Sequence, residues 1–330
     1  MNDATPAPVP TGITVAELGE ERLLARILPL LPTGDHTLIG PGDDAAVVAT
    51  PDGRFVVSTD VLVEGRHFRS DWSDGRAVGR RAAAQNLADV AAMGARPTAL
   101  VVSLVIPGTL PVSWVEGLAQ GLAEVAGPVG AGVVGGDLSG GDAVVVAVTV
   151  HGDLDGRPPV LRSGAQPGDV VALAGTVGRS AAGLALLSAG EARAEDDELV
   201  DRYRAPRPPL AAGPLAAQAG ATAMLDVSDG LLRDAGRIAR ASGVVLDLDR
   251  PEEALAEDLE AVRSAADSVG ADPVAWVLTG GEDHGLLATF PGQVPAGFRV
   301  IGHVRAGEPT VLVAGRAPAV GGLGWDHFGG

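Results

Sequence analysis

The apolar segments of this chain are short, and six times they run into an acidic corner: GDDAA at 42–46, STD at 58–60, NLAD at 86–89, GGD at 135–137, DVSDG at 226–230 and GGED at 280–283. Each corner sets a carboxylate beside Gly, Ser, Thr or Asn. Hard divalent cations take oxygen ligands, and Mg2+ in particular is held by a few carboxylates together with the phosphates of a substrate. Corners spread over both halves of the chain therefore suit a fold that gathers several metal ions around a polyphosphate. That chemistry is phosphoryl transfer.

The rest of the composition narrows the field. A length of 330 residues allows one large or two medium domains. Hydrophobic residues make up 46% but aromatics only 3%, so the core must be mainly Ala, Val and Leu. No apolar run approaches the roughly 18 residues of a membrane span. The opening MNDATPAPVPTG has neither a basic segment nor an apolar stretch, which predicts a short disordered lead-in rather than a signal peptide. Cysteine is absent, which excludes disulfides and thiol chemistry and makes a cytoplasmic location the expectation. The net charge of −18 disfavours nucleic acids and anionic membranes as partners. All 24 basic residues are arginines. A Walker A loop and a protein-kinase strand both require lysine, so both are excluded, and metals and Arg must neutralise any bound phosphates.

Apolar, Val-rich runs predict strands at 54–58, 98–106 and 143–151, and helical composition ended by glycine predicts helices at 75–93 and 112–125 between them. This β-α-β-α-β order gives an α/β layer domain. The stretch 154–168, rich in Gly, Pro and Asp, reads as a domain boundary. Beyond it the pattern resumes with strands at 170–174, 222–226 and 244–248 and helices at 180–188, 208–218, 231–242 and 253–269. Val277 and segments 286–290 and 298–304 read as closing strands. The expected organisation is a lead-in over 1–15, a first domain over 16–157 and a second over 158–330.

Taken singly, the corners are ambiguous. Asp43 and Asp44 fit a turn as well as a cation site. Asp60, in an apolar strand, should be partly buried and so paired or metal-bound, with Ser58 and Thr59 supplying further hard oxygens. His67 fits an anion contact or a surface loop. Asn86 and Asp89 share one helix face at i and i+3. GGD follows the Val133–Val134 strand as a Gly-rich turn whose backbone can approach a phosphate, and Ser228 or Asp229 can cap the helix that starts near Gly230. GGED repeats the strand–glycine–acid theme.

Taken in order, the motifs resemble those of the thiamine-monophosphate kinase family, within the superfamily of aminoimidazole ribonucleotide synthetase-like ATP enzymes. The resemblance rests on GDDAA, STDVLVEGRHF, NLADVAAMGA, GGD, LRSGAQPGD, DVSDGL, GGED and the tail GWDHF, and runs from about Gly19 to the C-terminus. It implies a mixed α/β, two-domain fold whose N-terminal domain pairs in a homodimer to form a shared β-barrel. The implied reaction is ATP-dependent phosphorylation of thiamine monophosphate to thiamine diphosphate with several Mg2+ ions. Carried over by motif, Asp44, Ser58, Thr59, Asp60, Asp89, Asp137, Asp226 and Asp229 form the metal set. Gly136, Asp137, Arg162 and Ser228 contact ATP, and His67, Glu282 and Trp325 contact thiamine monophosphate. The chain departs from the family pattern where His284 and Gly285 replace Tyr and Glu, and where Leu138-Ser139 follows GGD in place of Thr.

The implied acceptor is a phosphate monoester with a second pKa of about 6, already largely dianionic near neutral pH, so no general base is expected. Metal ions must relieve the repulsion between two anions, which fits aspartates rather than a catalytic histidine. The rivals are a sister enzyme with another acceptor and a non-catalytic Mg2+–nucleotide sensor. Retention of His67, Glu282 and Trp325 disfavours the sensor, and EGRHF with the GWDHF tail favours the thiamine branch.

Overall fold

The computed structural model describes residues 12–41, 45–191, 198–322 and 324. Most of the lead-in expected over 1–15 lies outside them, although Thr14 already caps a first helix through a reciprocal pair with Glu17. The N-terminal half runs through α1 (Val15–Leu18), α2 (Glu20–Ile27), β1 (Thr37–Ile39), β2 (Val47–Val48), β3 (Val56–Val63), α3 (Gly75–Ala92), β4 (Arg96–Ile106), α4 (Val112–Ala126), β5 (Gly132–Gly140) and β6 (Val145–Asp153). The four longer strands form one sheet in the order β3-β6-β4-β5, antiparallel except for the β4/β5 pair.

Period-2 patterning gives this sheet two unlike faces. Leu62, Leu100, Leu104, Val146, Val148 and Val150 turn toward α3 and α4 and form the first core. On the opposite face Phe55, Val57 and Val61 remain 53%, 54% and 45% exposed. Helix α3 starts at Asp74, whose carboxylate accepts the Ala77 amide at 2.8 Å. It packs so tightly on α4 that a Cβ at Gly79 would lie 2.1 Å from the Leu118 carbonyl oxygen.

The second half runs through β7 (Val170–Ala174), α5 (Arg179–Ala189), α6 (Glu198–Arg204), α7 (Ala212–Gln218), β8 (Ala223–Val227), α8 (Leu231–Ser242), β9 (Val245–Leu248), α9 (Pro251–Ala254), α10 (Ala256–Val269), α11 (Pro273–Thr279), β10 (Gly285–Phe290), β11 (Phe298–Arg305) and β12 (Thr310–Val313). Its strands form a mixed sheet in the order β12-β9-β11-β7-β10-β8. One face carries the largest core, built with α5, α8 and α10. The other packs Ala172, Met224, Leu286 and Phe290 against α7 and against Ala91 and Ala92 at the end of α3. The two layers are thus joined through the helix that bears Asn86 and Asp89.

Three local expectations are corrected. Val277 lies in a helix, not a strand, because Asp272 caps α11 and Pro273 occupies its first turn. GGD lies inside β5 rather than in a turn after it, since β4 pairs with β5 as far as Gly140. Neither Ser228 nor Asp229 caps α8; Gly230 occupies that position without a side-chain bond.

Candidate active site in the interdomain cleft

Alternation along β3 sends Ser58 and Asp60 toward α3. The Ser58 hydroxyl donates to Asp89 Oδ2 at 2.7 Å, and the Asp60 amide donates to Asn86 Oδ1 at 3.1 Å. Asn86 is fully buried and is fixed by its own donation to the Ala82 carbonyl at 2.9 Å. Burial, followed by the negative charge of Asp226, pushes the Asp89 carboxyl up to about 7 against the Ser58 bond. Asp60 is raised as well, chiefly by burial, with Asp226 and Glu282 adding to the shift and His284 and His67 opposing it. Thr59 alternates to the other face, where its hydroxyl donates to the Val148 carbonyl at 3.0 Å.

The second half brings its acids to the same place. Asp226, at the end of β8, is 7% exposed and meets Nδ1 of the buried His284 at 3.0 Å. The backbone of 282–284 is stitched to the DVSDG loop: the Glu282 amide donates to the Ser228 carbonyl at 2.8 Å and the His284 amide to that of Val227 at 3.0 Å. Glu282 and His284 both adopt positive φ, 71° and 54°, an unfavourable conformation for non-glycine residues that clusters at functional sites. For His284, burial favours the neutral ring. The Asp226 bond and the Glu282 carboxylate, 3.8 Å from Nε2, outweigh it and drive the pKa up to about 10. Glu282 is penalised by burial, yet Arg81 and His284 hold it down at about 2.

Beside this cluster lies a cleft of about 1200 Å3 between the two halves. Asp60 and His67 line it from the first half, Ser228 and Glu282 from the second, with Arg81 and Trp72 beside them. His67 Nδ1 accepts the Val63 amide at 3.0 Å, so the neutral ring carries its proton on Nε2. The sequence-derived residues outside this group divide several ways. Asp229 pairs with Arg237, which also binds Asp234. Gly136 and Asp137 lie on β5, at the far edge of the sheet from β3, and line a second cavity of about 810 Å3. A Cβ at Gly136 would lie 2.0 Å from the Val102 carbonyl oxygen. Arg162 is exposed and lines neither cavity; its carbonyl accepts the Ser242 hydroxyl at 3.1 Å. Asp44 and Trp325 lie outside the described residues.

Sequence reasoning missed Arg81 and gave His284 no role. The signal for Arg81 was available: a charged residue within an Ala-rich helix that is buried almost throughout. The donor set of Ser58, Asp60, Asp89 and Asp226 is all oxygen, which suits a hard cation. Among the described residues, no three His, Cys, Asp or Glu side chains form a ready-made metal cage. A cation here would draw ligands from one or two carboxylates, from water and from bound phosphates, which is the mode Mg2+ prefers.

Residues 42–154 match the family profile described as AIR synthase related protein, N-terminal domain, and residues 166–305 match the corresponding C-terminal domain. The thiamine-monophosphate kinase of Mycobacterium tuberculosis is 52% identical over 96% of this chain and 93% of its own. That of Corynebacterium glutamicum is 43% identical over 96% of both chains. Among solved structures, AaThiL complexed with AMPPCP and TMP superposes with a TM-score of 0.75 at 32% identity, covering 97% of this chain and 100% of that one.

Proposed function

Because this chain belongs to the thiamine-monophosphate kinase family of AIR synthase related proteins, we propose that it transfers the γ-phosphoryl group of ATP to thiamine monophosphate, giving thiamine diphosphate and ADP. The observation that carries this reading is that Asp60 and Asp89 from the first half lie close enough to Asp226 from the second to be raised by its charge, beside a cleft lined by Asp60 and Glu282. Asp226 and Glu282 are balanced by His284 and Arg81, whereas burial raises both Asp60 and Asp89, and partly buried carboxylates of that kind are costly to ionise unless a cation joins them.

Asp60, Asp89 and Asp226, with the Ser58 hydroxyl, would hold Mg2+; Asp44, Thr59, Asp137 and Asp229 complete the set carried over from the family. Bound there, Mg2+ would neutralise the phosphates and hold the reacting atoms in line. Gly136, Asp137, Arg162 and Ser228 are assigned to ATP, and His67, Glu282 and Trp325 to thiamine monophosphate. The acceptor oxygen of a phosphate dianion carries no proton to remove, so no residue is assigned as general base. The protein's part is to position two anions and to exclude water from the cleft. Transfer is direct, and incubation with γ-labelled ATP alone should leave no label on the protein.

The same reading includes a homodimer, a division of the chain near 157/158 and a cytoplasmic location. The apolar outer face at Phe55, Val57 and Val61, and the separation of Asp137 from the cleft, support a second copy closing the N-terminal sheet into a barrel. Among the described residues no helix is long and apolar enough to cross a membrane. The test is ADP release from MgATP with and without thiamine monophosphate, with the product identified chromatographically. Thiamine diphosphate formed only when both substrates are present is expected; turnover with some other acceptor alone would remove the substrate assignment.

A further inference from the structure

Arg81 lines the cleft without an assigned task, and its surroundings are specific. It is 2% exposed, on the helix that joins the two layers. Its Nη2 donates to Glu282 Oε2 at 2.5 Å and its Nη1 to the Tyr203 carbonyl at 2.5 Å, both across the interface to the second half. The guanidinium also lies 5.0 Å from the centre of the Tyr203 ring. Each terminal nitrogen thus makes one bond to the protein. Glu282 behaves differently: with one oxygen bound to Arg81, its side chain keeps 36% exposure on the wall of the cleft.

Building on the proposed function, we propose that Arg81 is a positioning residue for the acceptor: it fixes the Glu282 carboxylate as the anion that receives the cationic, amino-bearing aromatic end of the phosphate monoester. The positive φ of Glu282 is a conformation that the surrounding structure must impose, and the Arg81 bond is one restraint that imposes it. Arginine is required because its planar fork reaches a carboxylate and a carbonyl together; the single ammonium of lysine cannot span both in that geometry. The low pKa of Glu282 agrees with this, since the residue stays ionised for a cationic ligand at any pH at which the acceptor is a dianion. Arg81 itself, charge-neutralised by Glu282, does not touch the transferred phosphate.

The experiment compares wild type, Arg81→Lys, Arg81→Gln, Glu282→Gln and the Arg81→Gln/Glu282→Gln double variant. Steady-state constants are measured for both substrates, and thiamine monophosphate binding is measured by calorimetry without nucleotide. Arg81→Gln should weaken acceptor binding by about 10-fold or more while KM for MgATP stays within about twofold. Arg81→Lys should fall between it and wild type, and the double variant should bind no worse than Glu282→Gln alone. Losses that add in the double variant, or that strike both substrates equally, would mean that Arg81 acts by contacting ligand or by holding the fold, and would overturn the inference. If Arg81→Gln fails to fold by circular dichroism, Arg81→Lys alone decides: unchanged acceptor binding overturns the proposal. Wild type that makes no thiamine diphosphate would fail the proposed function; wild-type activity with acceptor binding unchanged in Arg81→Gln fails this inference only.

Discussion

Asp283 stands at the start of α5, where the Ser180 amide and the Thr176 hydroxyl donate to its carboxylate at 3.3 and 3.2 Å. Burial nevertheless dominates and pushes its pKa up to about 6. A carboxyl raised in the folded state keeps its proton there between about pH 4 and 6, while the unfolded chain releases it. Its favourable contribution is therefore complete below about pH 4 and is lost as pH rises through about 6, an effect on the order of 2–3 kcal/mol. Asp283→Asn should flatten that part of the stability profile; parallel denaturation curves for variant and wild type across pH 4–7 would contradict the assignment. At this scale the clustering of Asp60, Asp89 and Asp226 was legible as a set of candidates, because a hard-oxygen corner is written in adjacent residues such as Ser58-Thr59-Asp60. Which of those hydroxyls turns toward Asp89 was less so, since it depends on strand phase, and Thr59 falls on the other face. Arg81 stood out as a charge in an Ala-rich helix, but its task and that of His284 were not legible, because their partners Glu282 and Asp226 lie 201 and 58 residues away in sequence.

Helix α3 carries Arg81, Asn86 and Asp89 and touches both layers, so its seating on α4 matters to the site as well as to the core. That seating depends on backbone approach at Gly79, where a Cβ would meet the Leu118 carbonyl oxygen at 2.1 Å. Gly79→Val should destabilise the fold by about 1–3 kcal/mol through overpacking and lower the rate of phosphoryl transfer with it. Gly127→Ala, where a Cβ meets nothing within 4 Å, serves as the control. A Gly79→Val protein that melts with the control would refute the packing argument. Its Ala-, Arg- and Leu-rich composition and the stop at Gly94 made this helix readable almost to its ends, expected over 75–93 and found over Gly75–Ala92. The last strands were less readable because apolar content alone does not separate a strand from a buried helix, and at Val277 the cap Asp272-Pro273 decided for helix. GGD was misplaced because glycine suggests a turn, whereas here β4 supplies partners that keep the segment extended.

At the scale of the molecule, two features belong together: an N-terminal sheet with one exposed apolar face, and a set of expected site residues divided between the cleft and the far strand β5. A second copy covering that face would account for the exposed Phe55, Val57 and Val61. Sedimentation should give a mass near twice the 33.0 kDa chain, and Val57→Asp should shift it toward the monomer. A wild-type monomer at micromolar concentration would contradict the barrel. The central claim is that carboxylates from both halves make this cleft the place of phosphoryl transfer to thiamine monophosphate. The measurement that meets it most directly is thiamine diphosphate formation from MgATP and thiamine monophosphate by wild type and by folded Asp60→Ala, over a range of Mg2+ concentrations. The account predicts product from wild type that depends on both substrates, and a loss on the order of 100-fold in Asp60→Ala that high Mg2+ does not fully restore. Wild-type rates in Asp60→Ala would contradict it.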